Sequence, residues 1–249
     1  MPSLVTPARA GAGALFGSLA RVLGTRPLHP TGVAFRATLT VEEGGLPGTR
    51  LFGGAAVWDA RVRFSRGFGL PEPLPEIMSV AVKVPDAYGA GRDQDLLLTA
   101  TGRRPLARHL VVPATSHLDR FYSSVLPFRA GDATVLFGAA RRGAGRPGGA
   151  GDLDELVAAA AAVRLSFDLL AAAPRAPWRT IGRLDVGALI EAGEEDELAF
   201  NSDHCGGGIA PAGAINRIRG GAYAAAARAR RGGASASARR AEPFRVPSR

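Results

Sequence analysis

The chain has 249 residues, with 31 Lys and Arg against 22 Asp and Glu, and 46% of it is hydrophobic. That length supports one domain with a sizeable core, or two small ones at most. A single cysteine, Cys205, excludes a disulfide framework and any multi-cysteine zinc site, and no apolar run approaches the ~20 residues needed to span a bilayer.

The apolar stretch from Ala12 to Leu23 is broken by Gly13, Gly17 and Arg21, with no small-residue cleavage site after it. The expectation is therefore a soluble, cytoplasmic protein without a secretory signal. The formal net charge of +9 is concentrated at one end. From residue 201 onward nine Arg face only Asp203 and Glu242, so the rest of the chain is close to neutral. Aromatic interleaving is absent there, and Ser, Ala and Gly dominate Gly232–Ala241, so a solvated, disordered tail is expected rather than a nucleic-acid-binding arm. Lys83 is the only lysine; nearly all the basic charge is Arg.

Along the chain, residues 1–22 read as an N-terminal arm with a short helix near Leu15–Leu23. Strand signals follow. Val33, Phe35, Ala37, Leu39 and Val41 alternate with polar or small residues. So do Trp58, Ala60, Val62 and Phe64, and then Met78, Val80, Val82 and Val84. Leu96–Leu98 and Thr134–Phe137 are two further short strands. Arg103–Tyr122 is read as partly helical, Gly138–Gly151 as a flexible loop, and Asp152 as the start of an Ala-rich stretch. Val163–Leu169 and Trp178–Leu189 are the last strands, followed by an acidic loop at Glu191–Glu197, a Gly-rich turn and an Ala-rich helix over Ala212–Arg231. About seven to eight short strands closed by helices predict an α+β protein built on an antiparallel β-barrel, with residues 23–231 as its domain and 232–249 as the basic tail.

Phosphate-loop, nucleophile-elbow and zinc-helix motifs are all missing from the sequence. Asp203, His204 and Cys205 are consecutive, and neighbouring side chains rarely converge on one ion. Two clusters remain. Arg26, His29 and Gly32 lead into the first strand. Arg219, Tyr223 and Arg230 fall within a stripe of about 60° on a helix. Cations beside a tyrosine favour its phenolate, and a phenolate is an axial ligand for ferric haem. The same residues also read as an exposed basic helix with one tyrosine packed on the barrel, and spacing alone does not choose between them.

Taken together and in order, the motifs resemble the haem catalases and their shorter catalase-fold relatives of the peroxidase type. The pieces are R-x-x-H-x-x-G (Arg26, His29, Gly32), Val62-Arg63-Phe64-Ser65, Ser79-Val80-Ala81-Val82-Lys83 and Asp95-Leu96. Leu198-Ala199-Phe200, Gly208-Ile209-Ala210-Pro211 and R-x-x-x-Y with Arg230 beyond complete the set. The resemblance implies haem b as cofactor, held on a C-terminal helix by Tyr223, with Arg219 stabilising the phenolate and Arg26, Arg63 and Arg230 pairing with the propionates. It implies His29 as the distal acid–base group, with Ser65 orienting its ring.

Thr99 stands where the family has its distal asparagine. An asparagine offers an amide donor, threonine a shorter hydroxyl, which points away from efficient hydrogen peroxide disproportionation. The expected activity is oxidation driven by small organic or lipid hydroperoxides, in a setting of oxidative stress. True catalase activity and a non-catalytic haem- or lipid-binding relative are the alternatives. Gly220 and Gly221 interrupt the ligand helix at ~1 kcal/mol each. With most of the catalase arm and its C-terminal domain missing, a monomer or small homo-oligomer is expected.

Overall fold

The computed structural model describes residues 31–143, 151–162 and 165–213. Within them, period-two alternation builds a barrel whose apolar positions point inward. Its first half is a meander of β1 (Thr31–Val41), β2 (Ala56–Arg66), β3 (Met78–Val84), β4 (Gln94–Thr101) and β5 (Phe121–Ser123). β7 (Ala133–Arg141), β8 (Ser166–Ala172) and β9 (Arg179–Leu189) complete the wall. Every pairing is antiparallel. β9 returns to β1 and β8 pairs with β7, so eight strands close on themselves. Closure leaves the wall without unpaired edges.

Two short strands lie outside this wall: β6 (Phe128–Ala130) pairs with β7, and β10 (Ile209–Pro211) pairs with β6. Helix α1 (Asp152–Ala161) packs on β9 and β1. A second helix, α2 (Ala192–Glu197), occupies the segment expected to be an acidic loop. The stretch 103–122, read as partly helical, contains only a 3-10 turn at Ala107–His109 before β5. Among the described residues no helix is long and apolar enough to cross a membrane. The Leu15–Leu23 helix and the ligand helix containing Arg219, Tyr223 and Arg230 lie outside the described residues, as do Arg26 and His29.

The interior is filled by Phe35, Leu39, Val62, Phe64, Val80, Val82, Leu98, Phe167 and Leu184, all buried. Phe64 is its centre, with ring centroids 6.0 Å from Phe35 and 5.5 Å from Phe167. Because side chains alternate across a strand, filling the inside with these residues fixes the others on the outer wall. The site described next is on that outer wall.

Candidate functional site

On β2, Val62 and Phe64 point into the core, so Arg63 and Ser65 face out together. The register then carries Ser65 sideways. It lies opposite Gly32 on β1 and Ser79 on β3; Ser79 lies opposite Thr99 on β4, and Thr99 opposite Ser123 on β5. One row of small or hydroxylic residues therefore crosses five strands. Strands are ~4.8 Å apart, so Ser65 and Thr99 are ~10 Å from each other. The Ser79 hydroxyl donates toward Thr99 Oγ1 at 3.5 Å. The neighbouring row is Ala34, Arg63, Ala81 and Leu97. Ser65 and Ser79 are buried, while Arg63 and Thr99 are half-buried.

Gly32 explains itself sterically. A Cβ there would lie 2.5 Å from the Phe64 carbonyl oxygen and 3.0 Å from Arg63 Cζ. The guanidinium of Arg63 thus folds across the first turn of the strand pair, over the glycine that the R-x-x-H-x-x-G pattern contains. Its Nε donates to Glu195 Oε1 of α2 at 2.8 Å. Glu194, beside it, takes Arg36 Nη2 at 2.6 Å on the exposed side. α2 is thereby clamped to the outer wall by two ion pairs, and Ile190 N–H donates to the Ala34 carbonyl at 2.8 Å just before it. Sequence reasoning missed Glu195, which sits 132 residues from Arg63 in an acidic run that carries no positional signal.

Three of the motif pieces meet at the far end of β3. Lys83 Nζ lies 2.8 Å from Asp95 Oδ1 and 2.9 Å from Asp93 Oδ2. Asp95 is fully buried, and its other oxygen accepts Asn201 N–H at 2.8 Å and faces His204 Nδ1 at 3.0 Å. The ammonium also stands over the Phe200 ring, 5.6 Å from its centroid. Burial raises the Asp95 carboxyl, and Lys83, the Asn201 amide and His204 pull it only part of the way back. Asp93 is less buried; there Lys83, the Asp86 amide and His204 outweigh burial and hold the carboxyl below its ordinary range. Burial first, then the Asp203 and Asp95 carboxylates, push the Cys205 thiol up to about 11. This cluster is a clasp that ties 200–205 to the barrel. His204 is engaged in it, and among the described residues no three His, Cys, Asp or Glu converge on a metal position. Gly208, next along, has φ +92° and leaves no room for a Cβ, which would lie 2.2 Å from the Gly48 carbonyl oxygen; only glycine suits that approach.

A second buried cluster underlies the Ser65 end of β2. His117 Nδ1 donates to Asp152 Oδ2 at 2.5 Å, and His117 N–H donates to Oδ1 at 2.6 Å. His117 Nε2 faces the Ser65 carbonyl at 3.3 Å, and the Tyr122 hydroxyl donates to the His117 carbonyl at 2.7 Å. Burial raises the Asp152 carboxyl, but the His117 hydrogen bonds and charge, with Arg66 behind them, outweigh it and hold the group below its ordinary range. His117 and Asp152 support the backbone of Ser65 without reaching the outer wall.

A cleft of about 360 Å³ opens between α1 and β9, lined by Phe35, Val157, Ala160, Val186 and Leu189. It is apolar and does not include Arg63, Ser65 or Thr99.

No protein-family model matches the chain, and no curated protein matches it. Among solved structures, that of a bacterial catalase matches with a TM-score of 0.60 at 13% identity, covering 88% of this chain and 60% of that one. The chain thus spans three-fifths of the catalase it matches. A likeness at this identity shows the architecture alone: the barrel is catalase-like.

Proposed function

We propose that the chain is a haem-binding hydroperoxidase on a catalase-like barrel, acting on organic or lipid hydroperoxides. The observation that carries this reading is the convergence of Arg63, Ser65 and Thr99 on one outer face, across a register that motif matching does not contain. The residues fit a flat cofactor. Gly32, Ala34, Ser79 and Ala81 make a low floor, the hydroxyls line one row, and Arg63 offers a planar cation suited to a carboxylate.

Haem b, when bound, supplies the redox chemistry that cleaves a peroxide O–O bond. In this reading Tyr223 would hold the haem iron through its phenolate, Arg219 would lower the proton affinity of that phenolate, and Arg26, Arg63 and Arg230 would hold the propionates. Arg63 already balances Glu195, so its guanidinium would divide its donors between that carboxylate and a propionate. His29 moves a proton between the two peroxide oxygens, Ser65 holds its imidazole, and Thr99 gives one hydroxyl where an amide would grip hydrogen peroxide more firmly.

The test compares two activities of the haem-loaded protein. Dye oxidation by an alkyl hydroperoxide is expected to exceed oxygen evolution from hydrogen peroxide. Thr99→Asn is expected to raise oxygen evolution about tenfold, the equivalent of ~1.4 kcal/mol in the transition state. Oxygen evolution already dominant in the wild type would make it a true catalase instead. Neither activity, with haem bound, would leave a non-catalytic binding protein.

A further inference from the structure

His117 is fully buried, and both of its ring nitrogens face oxygen. Nδ1 meets Asp152 Oδ2 at 2.5 Å, and Nε2 meets the Ser65 carbonyl at 3.3 Å. A carbonyl oxygen only accepts, so the contact at Nε2 requires a hydrogen on that nitrogen. The contact at Nδ1 requires another. Asp152 Oδ1 takes the His117 backbone N–H at 2.6 Å and Arg66 stands 3.8 Å from Oδ2, surroundings that favour the carboxylate over the acid. A neutral imidazole carries one N–H. Only the imidazolium makes both contacts at once.

The charges around the ring lead to the same count. Two buried carboxylates lie under this end of β2: Asp152, and Glu76, which accepts the amides of Phe68, Gly69 and Leu70. Arg66, also buried, serves both, with its Nε 3.3 Å from Glu76 Oε2. With a neutral His117 one cation would answer two buried anions, and an uncompensated buried charge is strongly disfavoured. An imidazolium makes the count two and two. Glu72 adds a carboxylate 3.6 Å from Arg66 Nη1, but it is partly exposed and keeps its own solvation. Phe64 packs on the ring at 5.7 Å and 88°, and the Tyr122 hydroxyl donates to the His117 carbonyl at 2.7 Å, so ring and main chain are both fixed.

We propose that His117 is a buried imidazolium serving as a positioning residue: anchored on Asp152, it grips the Ser65 carbonyl and so sets where the Ser65 hydroxyl stands on the outer wall. The charge state and the grip are independent of the hydroperoxidase reading; the effect on turnover rests on that reading, in which Ser65 holds His29.

The first measurement uses the full wild-type chain without haem. Nitrogen-15 NMR of the histidine side chains at about pH 7.5, where a free imidazole is about nine-tenths neutral, is expected to show His117 with a proton on each ring nitrogen, both protected from exchange. A bare Nε2 would overturn the proposal, as would a neutral Nε2–H ring facing a protonated Asp152. The second uses His117→Asn, whose amide nitrogen replaces Nδ1 beside Asp152 and leaves Ser65 without its donor. Amide exchange at residues 64–66 is expected to quicken about tenfold, the size of one lost hydrogen bond from a charged donor, while β8 and β9 exchange as in wild type. In the haem-loaded protein kcat for dye oxidation is expected to fall about tenfold, with KM and haem affinity unchanged. Unaltered exchange would show that His117 does not hold Ser65, and unaltered kcat beside quickened exchange would remove its positioning role. Failure of the wild type to bind haem would count against the hydroperoxidase reading alone, because the NMR and exchange results decide the charge state and the grip without it.

Discussion

Lys83→Met is expected to destabilise the protein by about 3–5 kcal/mol, the usual consequence of stripping a buried carboxylate of its counter-charge. Asp95 has no exposure and receives the ammonium at 2.8 Å. Burial already works against its charge. Methionine would fill much of the lysine volume, so lost packing contributes little and the deficit reports the charge. The loss should also release 200–205, since Asp95 anchors both Asn201 N–H and His204. Chemical denaturation gives the number. Asp93→Asn is the control: that carboxylate is partly exposed, and its removal should cost less than about 1 kcal/mol. Equal stability of Lys83→Met and wild type would show that the clasp contributes nothing to the fold.

Asp152→Asn should produce a loss of similar size, about 3–5 kcal/mol, with a pH dependence that identifies its origin. Both oxygens of Asp152 accept from His117, so an amide would turn one donor toward another donor. The folded carboxyl is held below its ordinary value. Its contribution to stability is therefore fully present above the unfolded pKa of ~3.9 and is lost as pH falls through the lower folded value. Wild type and Asp152→Asn should differ most at neutral pH and converge in acid below about pH 4. A difference that stays constant across that range would point to packing rather than charge.

How much of this could be read from residues alone depended on the length over which a pattern runs. β1, β2 and β3 alternate for seven residues or more, and each matches its predicted apolar face. β5, β6 and β10 have three residues each, too few for any period to declare itself; pairing with neighbours makes them strands. The 192–197 segment is helical although its acids gave only the appearance of a loop, and Arg36 and Arg63 receive two of them, Glu194 and Glu195. In the site, Arg63 and Ser65 were legible as a pair, since positions two apart share a face. Their alignment with Ser79 and Thr99 required strand register, which a single sequence does not encode locally. Glu195, His117 and Asp152 found their partners through the closed barrel, across distances along the chain that no spacing rule reaches.

The proposal that His29 and Tyr223 serve opposite sides of one cofactor is tested most directly by haem titration of the purified chain, followed by absorption spectroscopy. We expect a Soret band that saturates at one haem per chain, keeps its intensity in His29→Ala and disappears in Tyr223→Phe. A chain that stays colourless at saturating haem, or a Soret band unchanged by Tyr223→Phe, would contradict the account.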